Sequence, residues 1–283
     1  MRVRLNAIRA GLAALVAALA ASKAGAQIFG GPKPGGIGFL PATGQIAEDM
    51  FWFHNWILLP VTIGISLLVL GLIIYIVWRF NETANPVPSR RTHNGLLEFA
   101  WTVAPALVLV IIAVPSFRLL ADQLIIPAPD LTVKVIASQW HWNYGYPKSE
   151  GGFSFDSLYV EDKDLKPGEP RVITADHEMV VPIGKVIEVD VTSQDVIHSF
   201  SVPSFGVKID AIPGRLNKAW FKAEHEGMFY GQCSNICGID HAFMPINVRV
   251  VSQSDYEAWL VQAKKQFAVL DGVDVAAAPL VHP

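Results

Sequence analysis

The chain has 283 residues, of which 52% are hydrophobic and only 17% charged, against about 25% charged residues in typical soluble proteins. Its formal net charge of −3 excludes a nucleic-acid binder that relies on bulk positive charge. Two cysteines are too few for a disulfide scaffold, and a chain this apolar is not globally disordered.

The N-terminal segment has the organisation of a secretory signal peptide. Arginines among the first nine residues precede an uncharged stretch over 10–21, and Ala24-Gly25-Ala26 supplies a small-residue cleavage pattern. This order predicts a signal peptide over 1–26, with Gln27 as the mature N-terminus. The uncharged stretch is too short to span a bilayer comfortably, and a retained short anchor is the alternative.

Two uncharged runs, 56–78 and 99–117, predict membrane-spanning helices. At about 1.5 Å per residue the first covers roughly 34 Å, which is enough to cross the hydrocarbon core. Trp56 and Trp78 stand at its ends, where amphipathic rings favour the membrane interface. The alternative for each run is a buried helix of a soluble core.

The short segment between the two runs indicates their orientation. It carries Arg79, Arg90 and Arg91 against Glu82, and an excess of arginine in a short loop marks the cytoplasmic side. Both ends of the mature chain are then outside, which a cleaved signal peptide also predicts. We therefore expect an N-terminal segment and hairpin over 27–122 and an outside domain over 123–283.

Period-2 alternation of apolar and polar residues recurs in the outside domain, over 131–135, 187–191 and 246–250. Such segments, separated by Pro/Gly turns, are typical of half-buried strands in a β-sandwich or barrel. Near the end of the domain, Ser254 is the predicted cap of a helix that carries Lys264 and Lys265 in its last turns.

The outside domain is acidic. From Asp122 onward the chain has 21 acidic and 13 basic residues. An acidic face can steer a basic partner to the surface, whereas the simpler interpretation is ordinary solubility.

Both cysteines fall in one short stretch, where Cys233, Cys237, His241 and Met244 follow each other within a dozen residues. Thiolate, imidazole and thioether are ligands that select copper. Cys237, His241 and Met244 have the spacing of a single blue-copper loop, for which His198 is the candidate distant ligand. Cys233 is one thiolate too many for such a site, and two cysteines four residues apart can instead bridge two copper ions. A zinc site and a disulfide between the cysteines remain as alternatives.

Five segments carry a family resemblance: 98–106, 139–142, 195–200, 210–217 and 231–244. On these segments the chain resembles subunit II of the bacterial haem–copper cytochrome c oxidases, over nearly all of the mature sequence. The resemblance implies a two-helix transmembrane hairpin that anchors an extracytoplasmic cupredoxin-like Greek-key β-sandwich. It also implies location in the bacterial inner membrane, with the large C-terminal domain in the periplasm.

The function implied by the resemblance is electron transfer at a dinuclear copper centre, CuA. Members of the family accept electrons from cytochrome c and pass them to haem in subunit I, where oxygen is reduced to water and protons are pumped. The implied partners are oxidase subunits I and III, cytochrome c and membrane lipid, without nucleic acid. The chain alone is not expected to catalyse a reaction, because the haem belongs to subunit I.

The resemblance also assigns roles to individual residues. The side-chain copper ligands would be His198, Cys233, Cys237, His241 and Met244. The backbone carbonyl of Asn235 would be a further ligand. Electrons would enter through Trp140, and Glu98 would stand at the entrance of a proton path. The polar groups expected to dock the partner are Gln139, Asp176 and Asp195.

Two of these roles have simpler alternatives. A carboxylate at the end of a membrane span is a functional candidate by default, but Glu98 can also be an interfacial side chain that snorkels to water. Trp140 can be a plain interfacial or core tryptophan.

The chain departs from the family at two positions. Asn235 stands where relatives carry a glutamate that helps to bind magnesium, and a neutral amide is a weaker ligand for a hard cation. We therefore expect weakened or altered magnesium binding. His141 replaces a tyrosine between two tryptophans, and we interpret it as structural rather than as a copper ligand.

Other protein classes share parts of this pattern. A membrane-tethered copper chaperone or thiol–disulfide protein also uses two cysteines four apart with a distant histidine. Such proteins usually have one anchor and a proline where this chain has Gly238. A quinol oxidase subunit lacks the copper ligands, and a nitrous-oxide reductase lacks the membrane hairpin. The chain has no C-x-x-C-H motif for a fused c-type haem.

Overall fold

The computed structural model describes residues 30–33 and 35–267, so the predicted signal peptide over 1–26 lies outside the described residues. Helix α1 (Gln45–Phe53) continues into α2 (Leu59–Arg79) through one π-helical turn (His54–Leu58). Helix α3 (Gly95–Leu124) follows after a short loop. Both predicted spans lie within helices that are long and apolar enough to cross a membrane, and these helices extend beyond the predicted limits.

Polar side chains in and beside the two long helices form local hydrogen bonds within the same helix. The side chain of Asn94 caps α3 by accepting from the backbone N–H of Leu97 at 3.2 Å. In α2, the hydroxyl of Ser66 donates to the carbonyl of Thr62 at 2.8 Å. Polar side chains in the spans thus find partners within their own helix, as lipid requires.

Within its described residues, 123–267, the outside domain contains ten strands. They are β1 (Leu131–Ser138), β2 (His141–Gly145), β3 (Ser154–Ser157), β4 (Met179–Pro182), β5 (Val186–Ser193), β6 (His198–Val202), β7 (Val207–Ala211), β8 (Asn217–Lys222), β9 (Gly227–Gln232) and β10 (Pro245–Val251). One sheet has the order β3-β2-β1-β5-β8, a second has the order β4-β10-β9, and β6 pairs with β7. The sheets enclose an apolar core whose large side chains include Trp142, Phe200, Phe221 and Phe229.

The three strands predicted from alternation are confirmed as β1, β5 and β10, but their second faces are less exposed than expected. Glu188 is only 8% exposed, because it pairs with Lys218 at 2.6 Å. Lys218 also contacts Asp190 at 3.0 Å. Asn247 is 2% exposed, and its side-chain amide donates to the carbonyl of Ile173 at 2.9 Å. Partners from other segments therefore cover faces that the alternation assigns to solvent.

The C-terminal helix α4 (Gln253–Gln266) begins two residues earlier than predicted. Its cap is Ser252, whose hydroxyl accepts from the backbone N–H of Asp255 at 3.1 Å, so the prediction of Ser254 as the cap was wrong. The helix packs Tyr256 and Leu260 against the core, which ties the end of the domain to its sheets.

Hydrogen bonds join the outer end of the hairpin to the domain. Just before α1, the backbone N–H of Thr43 donates to the carbonyl of Ser204 at 2.8 Å, and its hydroxyl accepts from the N–H of His225 at 3.1 Å. At the end of α3, the carbonyl of Asp122 accepts from the indole of Trp220 at 3.2 Å. The domain is thus held on both helices at the membrane surface.

Candidate copper centre

The loop between β9 and β10 brings the two cysteines together. Cys233 and Cys237 are both buried free thiols, with their Sγ atoms 3.7 Å apart. The N–H of Cys233 donates to the carbonyl of Met244 at 3.1 Å and so closes the base of the loop. The N–H of Ser234 donates to the carbonyl of Ser199 at 3.1 Å, which fixes the loop to β6.

Each thiol lies beside an imidazole nitrogen. His198, the fully buried first residue of β6, places its Nδ1 atom 4.0 Å from Sγ of Cys233. His241 opens a short 3-10 turn and places its Nδ1 atom 3.5 Å from Sγ of Cys237. The donor atoms of His198, Cys233 and Cys237 all lie within 4.8 Å of one another, and they form the one potential metal group found among residues 30–33 and 35–267.

Two further predicted ligands belong to the same loop. The backbone carbonyl of Asn235 is 3.3 Å from Sγ of Cys233. Met244 is fully buried at the other end of the loop. The paired thiols, each with its own imidazole beside it, fit a copper pair.

The two thiols differ in acidity before any metal binds. Burial opposes ionisation of Cys233, but contacts with His198 and with the backbone of Asn235 and Ser199 outweigh it and lower the pKa of this thiol to about 6. Burial and repulsion by Cys233 raise the pKa of Cys237 to about 12. Binding of a metal by both thiolates would therefore require deprotonation of Cys237 as well as of Cys233.

Asp195 orients the buried histidine. Its carboxylate accepts a hydrogen bond from Nε2 of His198 at 2.9 Å, which leaves Nδ1 free to face the thiols. It also accepts from the backbone N–H groups of Val196 and Gln139, each at 2.6 Å. Burial opposes ionisation of Asp195, but the hydrogen bonds from His198 and from the backbone hold its pKa below the usual value.

This role of Asp195 was not predicted from the sequence. The spacing of an aspartate three residues before a histidine ligand is the signal that could have suggested it. Carboxylates that hold the second nitrogen of a ligating imidazole fix its tautomer and orientation.

Trp140 and Gln139 lie directly on the loop. The indole N–H of Trp140 donates to the carbonyl of Cys237 at 3.3 Å, and the side-chain amide of Gln139 donates to the same carbonyl at 2.8 Å. A Cβ atom on Gly238 would lie 2.9 Å from Cζ2 of Trp140, so the ring passes close over the backbone of the loop. The structure thus brings Trp140 into contact with Cys237, a predicted ligand, and the role of Trp140 in electron transfer stays a prediction.

The remaining predicted residues lie away from the thiols. Asp176 accepts from the N–H of Leu158 at 2.7 Å and lies 3.2 Å from Nδ1 of His177. His141 approaches Asp156, with Nε2 and Oδ1 3.8 Å apart, and is not part of the metal group. Docking by Gln139, Asp176 and Asp195 stays a prediction.

Glu98 lies in the first turn of α3. Its Oε1 atom accepts from the backbone N–H of Asn94 and lies 3.2 Å from Nδ1 of His93. These contacts give Glu98 a capping role at the start of the span. Its place at a proton path stays a prediction.

Comparison with known proteins identifies the family. The model of the periplasmic domain of cytochrome c oxidase subunit II matches residues 131–251, and the model of its transmembrane domain matches residues 32–119. The chain belongs to the cytochrome c oxidase subunit II family. It is thus a subunit of a haem–copper terminal oxidase, an oxidoreductase complex with partner subunits, and the family implies copper.

Curated relatives match along most of their length. Cytochrome c oxidase subunit 2 of Cereibacter sphaeroides is 46% identical over 271 residues, with coverage of 90% of this chain and 89% of the relative. The probable subunit 2 of Rickettsia bellii is 44% identical and covers 87% of this chain and 91% of its own length.

A solved structure is similar to the outside domain. It is the periplasmic domain of subunit II of cytochrome oxidase from Bradyrhizobium japonicum, with 56% identity, a TM-score of 0.48, and coverage of 51% of this chain and all of that chain. The two family models divide this chain into the hairpin and the cupredoxin-like domain that were predicted. The chain is a membrane-anchored protein with its large domain outside the membrane.

Proposed function

We propose that this chain accepts electrons from cytochrome c at a dinuclear CuA centre and passes them to haem in subunit I, for oxygen reduction coupled to proton pumping. The observation that carries the proposal is the pair of thiols 3.7 Å apart, each with an imidazole Nδ1 beside it. A mononuclear copper site would need only one thiolate, whereas Cys233 and Cys237, each with its own imidazole, would suit a pair of copper ions.

The proposed ligands are the residues of the loop and one distant histidine, namely His198, Cys233, the backbone carbonyl of Asn235, Cys237, His241 and Met244. When bound, the copper pair supplies one-electron redox chemistry. The residues of the chain hold these donors in place and exclude water, since both thiols and His198 are buried. A rigid, dry site keeps reorganisation small during electron transfer.

Trp140 is the residue through which we propose that electrons enter from cytochrome c. Its indole is hydrogen-bonded to the carbonyl of Cys237, which supports a short path from the protein surface to a ligand. Gln139, Asp176 and Asp195 are the proposed docking groups beside it, and the excess of acidic residues in the domain would attract a basic cytochrome. Glu98 is proposed to stand at the inner entrance of a proton path.

We place the chain in the bacterial inner membrane after removal of residues 1–26, with the loop between the spans in the cytoplasm and residues 123–283 in the periplasm. The excess of arginine in that loop supports this orientation. Subunits I and III are the proposed partners within the membrane.

The test is electron paramagnetic resonance of the full-length chain loaded with copper in detergent. Hyperfine structure from one unpaired electron shared by two copper nuclei is the expected result. Cys233→Ser and Cys237→Ser should each abolish it, whereas Ser234→Ala, an exposed change in the same loop, should retain it. Either serine variant with full copper and an unchanged spectrum would refute the assignment.

The same experiment separates the competing function. The closeness of the thiols also suits a thiol–disulfide protein or a copper chaperone. Failure to hold copper, combined with cycling of the cysteines between thiol and disulfide, would favour that function. A single-nucleus spectrum that persists at full copper loading would favour a blue-copper protein.

Magnesium binding tests the effect of Asn235, which stands where relatives carry a glutamate. The amide of Asn235 has no negative charge to offer a hard cation, so the site fits magnesium poorly. We expect weakened or altered magnesium binding in the purified oxidase, and Asn235→Glu should increase the magnesium content. Metal analysis that finds full, tight occupancy with Asn235 in place would contradict this.

A further inference from the structure

A cleft of about 630 Å³ lies between α1 and the outer end of α3, away from the copper loop. Its volume is within the range of about 300–1,000 Å³ that is usual for ligand sites. One wall is a face of α1 from Gln45 to Phe53, and the other is a face of α3 from Val114 to Asp122. No residue of the electron-transfer site lines it.

The lining changes from polar to apolar in the same direction on both walls. Toward the membrane it consists of Phe53 and Trp52 on α1 and Val114 on α3. Away from the membrane it carries Gln45 and Asp49 on α1, and Arg118 and Asp122 on α3 with Leu119 between them. Both helices thus place their charged residues at the level of lipid headgroups and their apolar residues at the level of acyl chains.

The charged side chains in this cleft form few hydrogen bonds or ion pairs with other described residues of the chain. Among the residues that the structure describes, Arg118 makes no hydrogen bond or ion pair. The carboxylate of Asp122 likewise has no partner there, since only its backbone carbonyl is engaged. Within the same part of the chain, the carboxylate of Asp49 accepts one hydrogen bond, from the side chain of Gln45 at 2.9 Å.

We propose that this cleft binds the headgroup of a zwitterionic phospholipid, with a phosphate on Arg118 and an ammonium group between Asp49 and Asp122. A guanidinium suits phosphate because it donates in a planar fork, and two carboxylates suit an ammonium that donates three hydrogen bonds. One positive and two negative side chains disfavour a net anionic lipid. The acyl chains then lie along Trp52 and Val114.

The test is photo-crosslinking in native membranes that contain the complete oxidase. The probes are phosphatidylethanolamine and phosphatidylglycerol, each with a diazirine in the acyl chain near the glycerol. We expect the ethanolamine probe to label peptides over both 45–53 and 114–122, more strongly than the glycerol probe does. Arg118→Gln should reduce this labelling about tenfold, which is the effect of one charged hydrogen bond. Arg79→Gln, which removes the same charge at the inner end of α2, should leave it unchanged.

A second variant tests the charge argument even if the Arg118 variant fails to assemble. In the double variant Asp49→Asn, Asp122→Asn, the preference for phosphatidylethanolamine over phosphatidylglycerol should disappear. Equal labelling along all lipid-facing parts of both spans, or no labelling of the two peptides, would overturn the proposal. So would a preference that survives the double variant. Soluble glycerophosphoethanolamine should not compete, and full competition by it would assign the cleft to a free phosphoamine instead.

Discussion

The carboxylate of Asp195 provides the sharpest test of how the proposed copper site is built. It holds Nε2 of His198 at 2.9 Å and is itself held by the backbone N–H groups of Val196 and Gln139. Asp195→Asn keeps the size of the side chain but removes its charge, and the new NH₂ group must face one of the N–H donors. We therefore expect a misoriented imidazole in a site whose fold is otherwise intact.

The magnitude follows from the role of the hydrogen bond between Asp195 and His198. Removal of a group that orients a metal ligand typically costs about 10–100-fold in metal affinity. This corresponds to about 1.4–2.7 kcal/mol of binding free energy. The carboxylate of Asp195 is 31% exposed while His198 is fully buried, so water can replace only part of this hydrogen bond's effect.

The assay is competition for copper between the full-length chain in detergent and a chromophoric chelator at neutral pH. The matched control is Asp156→Asn, the same change at an exposed carboxylate that bonds Asn143 at 2.8 Å and lies outside the copper loop. Circular dichroism checks that both variants are folded. A decrease in affinity of less than about twofold for the Asp195 variant, or an equal decrease for the control, would refute the role of this carboxylate.

Two further predictions concern the domain and the loop. Lys218→Met removes the cation that pairs with Glu188 and Asp190, and it should lower the free energy of unfolding by about 1–3 kcal/mol at neutral pH. The loss is smaller than for a fully buried pair because Lys218 is partly exposed. Thermal unfolding of the full chain is the measurement, and the exposed change Lys208→Met should have little effect in it. Burial raises the pKa of Asp190, and Lys218 opposes this rise. Without Lys218 the native state therefore binds a proton on Asp190 more tightly. Protonation removes the unpaired charge, so the destabilisation by Lys218→Met should shrink as the pH falls toward 4. Gly238→Ala, at a φ of +130° that strains a side-chain-bearing residue, should push the ring of Trp140 off the loop and slow oxidation of cytochrome c by the oxidase about tenfold or more, with copper content measured alongside. An unchanged rate would contradict a role for this contact.

Most of the proposed ligand set could be derived from the sequence because most of it is local. Cys233, Cys237, His241 and Met244 occupy one loop, so residue types and spacing alone limit the chemistry that the loop can perform. His198 was the candidate distant ligand for the loop, and the family resemblance implied the same role; the structure brings its Nδ1 atom to 4.0 Å from Sγ of Cys233 across 35 residues of chain. Long-range approach of this kind is set by strand pairing, which no local pattern encodes.

What the sequence could not predict lies in the partners of polar groups. Alternation assigns Glu188 and Asn247 to solvent, because it reports only which residues share a face of a strand. Whether that face is covered depends on Lys218 and on the segment around Ile173, which other parts of the chain supply. The cap at Ser252 rather than Ser254 has a similar origin, since both serines precede Asp255 and only the backbone geometry selects between them.

The hydrogen bonds around the copper loop connect its rigidity to its proposed function. One carbonyl, that of Cys237, accepts hydrogen bonds from both Gln139 and Trp140, and the N–H of Ser234 is fixed to β6 beside His198. Because these bonds come from separate segments, movement of the loop would break several of them together. The bonds that hold a ligand in place therefore also hold the indole of Trp140 against that ligand's backbone, and any change that frees the ring should loosen the loop as well.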